Sequence, residues 1–69
     1  MNNNKTLIIY GDTYVIVDTI RSMNINMTYS TMPIQYIDSE GRSMYIDRNL
    51  DSIKKVTIDD TIIFESTTN

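Results

Sequence analysis

Any chemistry in this chain has to come from tyrosine, arginine, lysine and carboxylates, because it contains neither histidine nor cysteine. Without imidazole, no side chain ordinarily exchanges a proton near neutral pH. Without thiol, the strongest protein nucleophile is missing, and carboxylates alone suit calcium or magnesium better than zinc. Two glycines are too few for a phosphate-cradling loop, and no G-x-S-x-G elbow occurs. Asp47 with Asp51, and Asp59 with Asp60, are spaced to pair as carboxylates, but aspartate at such positions more often closes a turn through local backbone hydrogen bonds. The expectation is a protein that recognises rather than catalyses, with no cofactor and no metal.

Recognition then falls to aromatic and cationic side chains. Five of the six aromatics are tyrosines: Tyr10, Tyr14, Tyr29, Tyr36 and Tyr45. Tyrosine joins an apolar ring to a polar tip and is enriched at contact surfaces. Tyr45 lies between Arg42 and Arg48, and a guanidinium plane beside an aromatic ring can grip a phosphate, a base or a carboxylate. Lys54 and Lys55 add a basic point that would join the two arginines in a local positive patch. The candidate binding residues are therefore Tyr45, Arg42, Arg48, Tyr36, Tyr29, Lys54 and Lys55. For each tyrosine the competing reading is a ring at the core edge with its hydroxyl at the rim, and for each arginine a solvated charge beside Glu40, Asp47 or Asp51.

The elements that must position these residues are strands. The apolar set contains twelve isoleucines, while alanine is absent and leucine occurs twice. Isoleucine, valine, threonine and tyrosine fit a pleated, half-buried surface, and strong helix formers are scarce. Residues 6–10 and 13–20 are apolar runs separated by Gly11-Asp12, which predicts a two-residue hairpin turn of type II′ or I′. Helical spacing of Tyr14, Val17, Ile20 and Met23 competes with that reading, and the β-branched content of residues 13–20 argues against it. Residues 21–27 read as a loop or a weakly paired strand, because Asn24 and Asn26 compete for backbone hydrogen bonds. Residues 28–32 resume β composition, and Pro33 breaks or bends it.

Residues 34–38 and 42–47 flank Ser39-Glu40-Gly41, a three-residue link suited to a type I turn closed by a left-handed glycine. That register sets Ile34, Tyr36, Met44 and Ile46 on one face and Gln35, Ile37, Ser43 and Tyr45 on the other. Residues 47–53 read as one helical turn capped by Asp47 or Asn49. Residues 53–58 and 61–65 are strands joined at Asp59-Asp60. The expected fold is all-β: a small antiparallel barrel or meander, with one short helical turn near residues 48–53. A tight hairpin, a helical turn and a further strand resemble the strand order of SH3-like small barrels; OB-like barrels fit the composition as well.

Sixty-nine residues accommodate one domain with a thin stability margin, here residues 1–69 with frayed tails at 1–4 and 66–69. Six basic residues against nine acidic ones leave a net charge of −3, the reverse of the basic footprint that non-specific nucleic-acid binding needs. No apolar run approaches a membrane span, and no signal-peptide pattern opens the chain, so the expected setting is cytoplasmic, away from membranes. The leading functional expectation is a small interaction module or inhibitor docking on a larger protein. Its Asn- and Ile-rich composition suits a phage or mobile element. A nucleotide-sequestering oligomer and a single-stranded nucleic-acid binder are the alternatives. Apolar residues on both strand faces also predict self-association.

Overall fold

The computed structural model describes residues 4–26 and 30–66. It is all-β: six antiparallel strands in one sheet, β1 (Lys5–Gly11), β2 (Val15–Ile25), β3 (Thr31–Asp38), β4 (Ser43–Asn49), β5 (Ile53–Ile58) and β6 (Thr61–Glu65), with a 3-10 turn over Leu50–Ser52. The strand order is β4-β3-β2-β1-β5-β6. The 3-10 turn lies between β4 and β5, β5 returns beside β1, and β6 extends the sheet beyond β5. The hydrogen-bonded ladder stays open, with β4 and β6 as its edges. Among the described residues no helix is long and apolar enough to cross a membrane.

A single sheet buries a core only by rolling over itself. Leu7, Ile9, Ile20, Met32, Ile34, Tyr36, Ile53 and Val56 form that core, drawn from β1, β2, β3 and β5. Three register shifts, at Gly11, between Ile20 and Ser22, and between Val56 and Thr57, supply the bends. With the one at Arg21, the strand alternative for residues 21–27, rather than the loop, holds as far as Ile25. Before it Ile16, Asp18 and Ile20 face the core; after it the phase flips and Met23 and Ile25 do. One inserted residue thus lets β2 run on to Ile25, paired with β3. The alternation skips at Arg21 rather than ending.

Two expectations are corrected. The β1–β2 connection spans Gly11 to Tyr14, with the Gly11 N–H donating to the Tyr14 carbonyl at 2.8 Å, and Gly11 does not have positive φ. Glycine leaves space there for the Tyr14 ring, which a Cβ would push aside. Pro33 does not break β3, whose register with β4 continues from Thr31 to Ile37. Pro33 turns its backbone toward the end of β2, where its carbonyl accepts from the Asn26 N–H at 3.1 Å, so its missing N–H is lost only at the last rung.

The remaining turns form as their residues predict. Gly41 has φ +84°, its N–H donates to the Asp38 carbonyl, and the β3–β4 register is the expected one, Ile34 opposite Ile46 and Tyr36 opposite Met44. Asn49 caps the 3-10 turn, its side chain accepting from the Asp51 N–H at 3.0 Å; the other expected cap, Asp47, lies in β4. Asp59 and Asp60 both adopt positive φ, and Asp59 Oδ1 accepts from the Thr6 N–H at 2.9 Å. Ser66, expected to fray, donates its N–H to the Lys54 carbonyl.

Candidate functional site

The predicted binding residues separate into four places. Arg42 is held in the β3–β4 turn by Asp38. Asp38 Oδ1 accepts from the N–H groups of Glu40 and Arg42, and Oδ2 from Arg42 Nε at 2.8 Å. The Arg42 backbone hydrogen bond is the largest influence holding the Asp38 carboxyl below the usual aspartate value; burial opposes it, and the guanidinium adds to it. Arg42 therefore shapes a turn.

Arg48 does not flank Tyr45. It points to the opposite face and stacks on Tyr14, its Cζ 4.3 Å from the ring centroid. The Tyr14 hydroxyl lies 2.9 Å from Ser52 Oγ, while the Asp12 N–H donates to the Ser52 carbonyl and the Leu50 N–H to the Ser30 carbonyl. Tyr14 thus fastens the β1–β2 loop to the 3-10 turn and to edge strand β4, which closes the roll. The pair Gly11 and Tyr14 meets the pair Arg48 and Ser52 across more than thirty residues of sequence, so nothing local announces the cluster.

Tyr36 is a core residue. Its hydroxyl donates to Asp18 Oδ2 at 2.8 Å. Burial first, and then this hydrogen bond, push its pKa up to about 12. Tyr45 is 58% exposed, opposite Gln35, on the face away from the core as the register predicts. Beside it Ser22, Asn24, Asn26, Pro33, Gln35 and Ile37 line two adjoining shallow depressions of about 220 and 140 Å³. Tyr29 lies outside the described residues.

Lys55 sits on the outer face of the other half of the sheet, its Nζ 4.7 Å from the Tyr10 ring centroid; Lys54 is exposed beside it. Arg42 and Arg48 lie near opposite ends of β4, roughly 20 Å apart along the strand, and Lys55 faces away from Arg48. The four cations do not form one patch. Among the described residues no three carboxylates gather to hold a metal ion.

What the structure does bring together on that outer face is apolar. Val17 on β2, Ile8 on β1, Thr57 on β5 and Ile62 on β6 stand side by side in one row. The next row is Val15, Tyr10, Lys55 and Glu65. Val15, Val17 and Ile62 are 60%, 63% and 51% exposed. Thr57, mid-row, is 5% exposed, and its Oγ1 has no hydrogen-bond partner. A buried hydroxyl without a partner is costly. Thr57 and Ile62 join Ile8 and Tyr10 on this face only through pairing of residues distant in sequence. Compared with protein-family models, curated proteins and solved structures, the chain matches none.

Proposed function

We propose that this protein is a non-catalytic interaction module that docks on a larger protein through the outer face of β2, β1, β5 and β6. The observation that carries this reading is the exposure of Val15, Val17 and Ile62 on the outer face, flanking half-buried Ile8 and buried Thr57 in the sheet, with no described element over them. Monomeric soluble proteins rarely leave contiguous apolar patches uncovered unless something binds there. The matching partner surface is apolar where it meets Val15, Val17 and Ile62. A domain this small has little beyond such a face to offer, which suits an inhibitor or adaptor. A cytoplasmic setting and a phage or mobile-element origin accompany the reading on composition alone.

The test is capture from a host lysate by the protein and two variants. Val17→Glu should lose whatever partner the parent retains, and Asn24→Ala, on the other half of the sheet, should keep it. Equal capture by Val17→Glu would reject the face.

A second reading, binding of a nucleotide or similar small ligand, draws on the amide groups of Asn24, Asn26 and Gln35 beside Tyr45. The depressions fall short of the roughly 300–1,000 Å³ of typical ligand pockets, which favours the first reading. A thermal shift against a nucleotide panel separates them, since a ligand at 100 times its Kd adds about 2.7 kcal/mol. Single-stranded nucleic acid, the third expectation, draws least support: the cations are dispersed over both faces.

A further inference from the structure

We propose that β4 is a self-pairing edge, through which two copies of this chain join antiparallel about a twofold axis at Tyr45 into one continuous sheet. The two edges of the sheet differ. β6 is five residues long and its ladder with β5 is interrupted by a register shift, a common way to blunt an edge. β4 is seven residues long and pairs with β3 without interruption. The Asp38 N–H bonds the Arg42 carbonyl and the Leu50 N–H bonds the Ser30 carbonyl. By alternation, Met44, Ile46 and Arg48 turn their backbone groups toward β3. Ser43, Tyr45 and Asp47 therefore aim theirs outward, where the described residues supply no strand.

The side chains select a second copy and its register. With Tyr45 opposite Tyr45, Ser43 faces Asp47 and Met44 faces Ile46 on both sides of the axis. About six hydrogen bonds form from three residues per copy. Ser43 can donate its hydroxyl to the Asp47 carboxylate, the two rings meet, and Met44, 36% exposed, is covered by an apolar neighbour. An axis at Asp47 would oppose two carboxylates, which is unfavourable; one at Ser43 would leave Tyr45 and Asp47 unpaired. Arg48 approaches Arg42 of the second copy, whose charge is already met by Asp38 and Glu40. The contact is isologous and closes at two copies.

Sedimentation equilibrium and native mass spectrometry should find twice the 8.0 kDa chain mass. Tyr45→Glu, which sets like charges opposite each other at an exposed position, should weaken the dimer roughly tenfold or more while keeping the circular dichroism of the parent. Because the chain lacks cysteine, single cysteines report the register. Tyr45→Cys should cross-link on mild oxidation, its Cα atoms about 5.5 Å apart across a hydrogen-bonded pair. Met44→Cys, opposite Ile46, and Ile63→Cys, on β6, should not. A parent that stays monomeric at high concentration overturns the proposal. So does a dimer that survives Tyr45→Glu, or cross-linking at Met44→Cys or Ile63→Cys as fast as at Tyr45→Cys.

Discussion

Tyr36 and Asp38 show why a residue's type and its use diverge. Both sit on β3 facing the core, and each is tuned by what its polar end meets. Burial and the Asp18 hydrogen bond raise the Tyr36 pKa from 10.0 to about 12, so its contribution to stability is complete below pH 10 and fades as pH climbs through 12. Tyr36→Phe should cost about 1.5 kcal/mol at neutral pH and remove this part of the alkaline loss, as read from urea midpoints across pH. Asp38 behaves in the opposite sense. Its folded pKa lies below the ordinary 3.8, so its stabilisation is present above that value and disappears as acid protonates it. Asp38→Asn should flatten the acid limb of the same series; an unchanged limb would show that Asp38 is not the group responsible.

At the scale of elements, bulges and one space-making glycine turn a flat pattern into a rolled sheet. Gly11→Ala should force Tyr14 off its seat, breaking the Ser52 hydrogen bond and the Arg48 stack together. A loss of about 1–3 kcal/mol should accompany it, with amide exchange in the 3-10 turn speeding up more than in β3. An unchanged exchange pattern would mean that Tyr14 does not close the roll. The β3–β4 and β5–β6 hairpins were legible in the chain because their turn residues, Gly41 and the Asp59-Asp60 pair, lie between clean runs of strand. The β1–β2 loop was not, and the continuation of β2 only as one of two alternatives, because Gly11 answers to a ring three residues on and Arg21 merely shifts the phase.

For the whole molecule, the pairing of distant strands assembles a surface that no segment contains. Thr57 marks its centre. Replacing Thr57 with valine keeps the shape and removes a buried hydroxyl without a partner, so it should stabilise the isolated protein by about 1 kcal/mol. Because the Thr57 hydroxyl is buried beneath its neighbours, the same change should leave capture of the docking partner intact. A variant that is less stable than the parent, or that loses capture, would contradict this expectation.

Composition and alternation by themselves determined an all-β chain, most strand positions, the hairpin register at Gly41, the turn at Asp59-Asp60 and the exposure of Tyr45, because each depends on neighbours within a few residues. Tertiary structure alone decided that Arg48 belongs to Tyr14, that Arg42 serves Asp38, that Tyr36 is core, and that Val17, Ile8, Thr57 and Ile62 share a row. Those pairings join residues up to some fifty positions apart. Side-chain type shows what a residue can meet; only the rolled sheet brings a particular partner within reach.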